Sequence, residues 1–97
     1  MSLYIVAMNW TETGRREVKY SPERLDTAKA LAKHMGGELQ QFFLTMGEYD
    51  MVTILDFPDD KTAEQYMLRL AMAGALTGKA MKAFPEHEYR EIIKSLG

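Results

Sequence analysis

The sequence predicts an α+β domain in which two helices cover one face of a four-stranded antiparallel sheet. Three observations carry that prediction: apolar runs too short for helices at residues 3–10 and 49–57, two intervening or following segments with apolar residues at helical spacing, and glycine or proline at most junctions. The first strand, residues 3–10, places Leu3, Ile5 and Ala7 on one side and Tyr4, Val6 and Met8 on the other, since successive side chains alternate across a strand. Apolar residues on both sides mark a strand covered on both faces. Residues 11–20 are polar and charged, with Gly14 among them, and read as a long connection with room for one helical turn.

Ser21-Pro22 is expected to open the first main helix, with Ser21 as N-cap and Pro22 at the first helical position, where its missing N–H costs nothing. Gly36-Gly37 closes it, one of the two taking the left-handed cap conformation. Between them Leu25, Ala28, Leu31, Ala32 and Met35 form one apolar stripe, with His34 outside it. The second strand, residues 38–46, mixes Gln40 and Gln41 with Leu39, Phe42, Phe43 and Leu44, which suits an edge. Gly47-Glu48 fits a two-residue type II′ turn, whose first central residue needs a positive φ. The third strand, residues 49–57, has Met51, Leu55 and Phe57 on one face and Val52 and Ile54 on the other, a central pattern.

Phe57-Pro58-Asp59-Asp60 stops that strand and caps the second main helix, with acids where the helix dipole favours them. The helix runs to about Gly74 on the stripe Ala63, Tyr66, Met67, Leu70 and Ala71, and Leu68 and Met72 widen its apolar surface. A fourth strand at residues 76–84 is broken by Lys79 and Lys82, as at an edge. Phe84-Pro85-Glu86 then opens a terminal helix whose inner side is expected to be Tyr89, Ile92, Ile93 and Leu96. The order is the ferredoxin-like βαββαβ arrangement, sheet order 4-1-3-2, with a C-terminal helix added and one domain over residues 1–97. Both main helices fall on one face. Strands one and three leave apolar residues on the other, and a second copy of the chain is the simplest cover.

Composition narrows the partners. Twelve Lys and Arg against 14 Asp and Glu give a net charge of -2 and a pI near 5.6, no electrostatic footprint for nucleic acid or an anionic membrane. No run approaches the roughly 20 apolar residues of a membrane span, and residues 3–8 are too short for a secretory signal. The absence of cysteine excludes disulfides, thiolate zinc sites and cysteine nucleophiles, and suits a cytoplasmic location. His34 and His87 lack ligand spacing, so neither a metal nor another cofactor is expected. The eight methionines read as adaptable core and interface filler.

The chain resembles the GYD family, named for a Gly-x-Tyr-Asp turn and placed in the dimeric α/β barrel superfamily. The resemblance rests on Tyr4-Ile5-Val6 with Asn9-Trp10-Thr11, Gly14, Ser21-Pro22 with Arg24-Leu25, Gly36-Gly37, and residues 44–50 with Gly47-Glu48-Tyr49-Asp50. Pro58-Asp59, Gly74 and Ala83-Phe84 extend it. It implies two subunits packed sheet against sheet into a barrel, and no settled reaction.

Asn9 is similar in placement to an asparagine that some cofactor-independent and haem-degrading monooxygenases of that superfamily use, with a nearby tryptophan, to hold an oxygen-reactive substrate. Asn9 and Trp10 are adjacent, however, so on a continuing strand they face opposite sides. The plainer reading, which we favour, has Asn9 bonding the strand end and Trp10 packing beneath the connection. Tyr49 and Asp50 invite an acid–base reading, which the same alternation opposes; a packed Tyr49 and an Asp50 bonding backbone amides explain them more simply. Arg15, Arg16, Lys19 and Arg24 near the first main helix suggest a small anion, diluted by Glu12, Glu17 and Glu23. Asp56, Asp59 and Asp60 suggest a hard cation, although capping accounts for the last two.

Three functions follow. The first is an oligomeric barrel that holds a small apolar or aromatic molecule between helices and sheet, with Asn9, Trp10, Tyr49, Asp50 and Arg24 as candidate ligand-binding residues. The second is a cofactor-independent monooxygenase or isomerase. The third is a structural or regulatory subunit whose partner is another protein.

Overall fold

In the computed structural model, which describes residues 1–97, strand β1 (Ser2–Trp10) lies inside a sheet of order β2-β3-β1-β4. Its neighbours are β3 (Met51–Phe57) and β4 (Leu76–Ala83), and β2 (Glu38–Leu44) forms the far edge. All pairings are antiparallel. Read from the other edge this is the predicted order 4-1-3-2, so the ferredoxin-like α+β arrangement stands, with the C-terminal helix added.

The register assigns the faces. Tyr4 lies opposite Leu55 and Lys82, Val6 opposite Thr53 and Ala80, and Met8 opposite Met51 and Gly78. Directly opposed residues share a face. Tyr4, Val6, Met8, Met51 and Leu55 pack with Ala32 of α2 (Ser21–His34) and with Ala63 and Tyr66 of α3 (Asp60–Met72), so both main helices lie on that side. Leu3, Ile5, Val52 and Ile54 form the opposite side and are only half-buried, while Met81 and Phe43 beside them are exposed. No helix covers that side.

At the middle of the helix side the rings of Phe57 and Tyr66 are both fully buried, 4.9 Å apart and tilted by 40°. The Tyr66 hydroxyl donates to the Ala28 carbonyl at 2.8 Å and so ties α3 to α2. Asp59 caps α3, accepting from the Thr62 amide at 2.7 Å. Gly36, with φ 85°, ends α2 in the left-handed conformation.

Four expectations need correction. Between β2 and β3 runs a six-residue loop, residues 45–50, rather than a two-residue turn, and both strands are correspondingly shorter. Its neck is closed by the Thr45 amide donating to the Asp50 carbonyl at 2.9 Å, while Gly47 does have a positive φ, 126°. Ser21 is not an N-cap: a 3-10 turn at Val18–Tyr20 runs directly into α2, leaving Tyr20 at the boundary and Ser21 already helical. The preceding connection is more ordered than a single turn, since α1 (Glu12–Arg16) comes before that 3-10 turn. Finally, α4 (Glu86–Lys94) carries the predicted stripe, but Tyr89, Ile92, Ile93 and Leu96 are exposed, Leu96 to 77%. Leaving an edge strand through Phe84-Pro85, α4 finds no apolar surface of the chain opposite it, and the molecule is elongated, 53 × 31 × 17 Å.

Gly47 has no heavy atom within 4 Å of where a Cβ would stand, so a substitution there acts through backbone strain rather than collision. We expect Gly47→Val to destabilise by more than about 1 kcal/mol, read as a fall of several degrees in melting temperature. An unchanged melting curve would remove the strained loop geometry.

Candidate functional site

Between the two main helices and the sheet lies an open cleft of about 830 Å³. Its floor is the helix-side row of the sheet, including Val6, Met8, Trp10, Thr53 and Leu55, and its walls are Leu25, Ala28 and Leu31 of α2 and Met67 and Leu70 of α3. Those five wall residues are only half-buried. Ala32 of α2 and Ala63 of α3 are fully buried against the sheet, whereas the wall residues keep part of their surface open to the gap. Nineteen of its 29 lining residues are hydrophobic, so it suits an apolar guest. Its size falls in the range of about 300–1,000 Å³ found for small-molecule sites.

The candidate residues divide between this cleft and a second place. Trp10 continues the row of Tyr4, Val6 and Met8 and lines the cleft. Arg24 lines it from α2 and pairs at 3.1 Å with Glu17, which also lines it. Asn9, Tyr49 and Asp50 lie outside, at the end of β1 and in the 45–50 loop. Asn9 and Trp10 therefore face opposite sides, as alternation requires.

Asn9 and Asp50 form a reciprocal clamp. The Asp50 amide donates to Asn9 Oδ1 at 2.8 Å and to the Met8 carbonyl at 3.0 Å, and the Asp50 carboxylate accepts from the Trp10 amide at 3.0 Å. The Tyr49 carbonyl accepts from the Thr45 hydroxyl inside the same loop. On the other flank, Arg15 Nη1 donates to the Trp10 carbonyl at 2.9 Å. Thr11, to which the sequence assigns no role, joins three segments. Its hydroxyl donates to the Gly74 carbonyl at 2.7 Å and accepts from the Gly14 amide, and its own amide donates to the Ala75 carbonyl at 3.0 Å. A Thr three residues before Gly14, followed by Glu12, is a legible cap signal. Gly14 is needed there because a Cβ would lie 2.2 Å from the Ala75 carbonyl oxygen.

At the opposite end of β1 the Tyr4 hydroxyl donates to Asp60, whose carboxylate also meets Lys82 Nζ at 3.0 Å. Asp60 is thus a tether to the sheet, while Asp59 alone is the cap. The Tyr4 hydroxyl, then Lys82, hold the Asp60 carboxyl below the usual carboxylate range. Burial, then the Asp60 carboxylate, push the Tyr4 phenol up to about 12. Burial alone pushes Tyr66 up to about 12. No three His, Asp or Glu side chains come together in a metal-binding group, and no helix is long and apolar enough to cross a membrane.

A family model described as the GYD domain matches residues 4–93. The chain is also similar to a protein of Thermus thermophilus named glutamine synthetase and cystathionine beta-lyase binding protein. The two are 27% identical over 86 residues, covering 88% of this chain and 90% of that protein. No solved structure matches.

Two outcomes are expected here. Asp50→Ala strands the Trp10 amide and should cost about 1–3 kcal/mol, measured by urea denaturation, with the loss concentrated at this end of the sheet in amide exchange. Tyr4 and Tyr66 have folded values raised above the ordinary 10.0, so their stabilisation is complete below about pH 10 and is lost as pH rises through about 12. A pH-resolved denaturation series should fall in that window, and less steeply for Tyr66→Phe.

Proposed function

The chain belongs to the GYD domain family, and from that premise we propose that it is a homo-oligomeric binding protein that takes a small apolar or aromatic molecule between its helices and its sheet. The observation that carries this reading is the apolar cleft of about 830 Å³. Its size and its mostly apolar lining are those of small-molecule sites, which supports the reading. The reading as a cofactor-independent monooxygenase or isomerase is less well supported. Asn9 Oδ1 and the Asp50 carboxylate are engaged with backbone amides, and Asn9, Tyr49 and Asp50 do not line the cleft. Trp10 and Arg24 remain as ligand-binding residues, one as an apolar wall and the other as a paired charge on the lining.

The uncovered sheet side supports self-assembly. Leu3, Ile5, Val52 and Ile54, half-buried, and Met81 and Phe43, exposed, form one apolar patch of about a few hundred Å², within the range of the largest patches that soluble monomers carry and that often mark an interface. A second reading, that the assembly also docks on another protein as a regulatory subunit, is favoured by the exposed stripe of α4. The name of the Thermus thermophilus relative, a binding protein for two enzymes, points the same way.

Methionine-methyl NMR tests the cleft. Added naphthalene should shift Met8, Met51 and Met67, which line it, and leave the exposed Met46 and Met72 outside it unmoved. No shift at the three cleft methyls across apolar and aromatic probes would overturn the binding reading. For assembly, sedimentation equilibrium at micromolar concentration should show a dimer or larger. Ile5→Glu should lower that mass with the fold retained, whereas Val6→Glu should unfold the subunit; a monomeric wild type would sink the assembly.

A further inference from the structure

We infer that the cleft selects an aromatic ring bearing one neutral oxygen, a phenol or an aryl ketone, and that the Thr53 hydroxyl is the group that recognises it. This rests on the cleft being a ligand site. Thr53 is the one buried polar side chain of the core, 3% exposed, and it lines the cleft. It stands in an otherwise apolar neighbourhood, between Val6 and Phe42 across the sheet and between Met51 and Leu55 along its own face of β3. Its hydroxyl makes no hydrogen bond within the subunit, although the hydroxyls of Thr11, Thr27 and Thr45 all do. It is not sealed in protein either, since the sole enclosed side-chain atom without a partner is Asp56 Oδ1. An unpaired hydroxyl that is neither bonded nor sealed opens onto the cleft, where a guest is the available partner.

The ring class follows from the lining. Met8, Met51 and Met67 offer polarisable sulfur, and Trp10 and Phe42 offer aromatic surface. The oxygen must be neutral because the lining has no free cation. Its Arg24 is held by Glu17 at 3.1 Å, and the remaining charge, Glu64, is an exposed anion. A carboxylate drawn to the floor would lose its water without a compensating charge. The threonine hydroxyl donates to a ketone oxygen or accepts from a phenol, so either neutral oxygen satisfies it.

The test compares naphthalene, 2-naphthol and 2-naphthoate on wild type, Thr53→Val and Thr53→Ser, titrated by methionine-methyl NMR. The readout is the ratio of the naphthalene Kd to the 2-naphthol Kd. Thr53→Val should lower that ratio by roughly two- to tenfold, the range for one neutral hydrogen bond, and Thr53→Ser should restore it. Since no internal bond is lost, Thr53→Val should melt no lower than wild type, which separates recognition from a structural role. An unchanged ratio with both neutral ligands bound overturns the inference and leaves the cleft reading standing. Tighter binding of 2-naphthoate than of 2-naphthol also overturns it. Failure of all three ligands to bind wild type removes the cleft reading, and this inference with it.

Discussion

A strand that is apolar on both faces cannot stand at the surface, and β1 is such a strand, with Tyr4, Val6 and Met8 on one side and Leu3, Ile5 and Ala7 on the other. Placing it inside the sheet pairs both of its edges, with β3 and β4, and leaves two faces to cover. The two main helices cover one. The rows set by its register decide which residues of β3 and β4 enter the helix side, and hence the composition of the cleft floor. The wetter strands fall at the edges, where Gln40, Lys79 and Lys82 meet water and discourage further pairing.

The polar residues near β1 are largely committed to scaffolding. Asn9 and Asp50 hold the 45–50 loop to its far end, Thr11 joins α1 to the segment before β4, and Asp60 with Tyr4 and Lys82 fixes the start of α3. Each bond satisfies backbone or side-chain groups that would otherwise be desolvated without a partner. The cleft is left with apolar contact as its main resource.

Strands, main helices and sheet order were legible because they depend on period and punctuation: alternation in β1 and β3, helical spacing from Leu25 to Met35, and glycines at the helix end. The loop was misread because local turn chemistry competes with tertiary bonds. Its length is set by Asn9, 41 positions before Asp50, and no short-range rule reports that partner. Ser21 was misread as a cap because a 3-10 turn supplies the entry to α2. The opposed faces of Asn9 and Trp10 followed from alternation alone. Thr53 drew no reading from the sequence, because a lone hydroxyl within a strand does not state whether it finds a partner. For α4 the stripe was legible and its cover was not, because amphipathicity states that a face must be buried without stating against what.

The pairing of Leu3 with Ala83 bears on how the chain reaches its fold. During synthesis β1 emerges first, but its second edge stays open until β4 has been made, so the sheet is completed by one of the most sequence-distant pairings available. Such non-local closure is slow compared with helix formation, because the loop entropy must be spent before the contacts reward it. Throughout that interval a two-faced apolar strand is unpaired on one edge, the kind of surface that exposes a folding chain to aggregation.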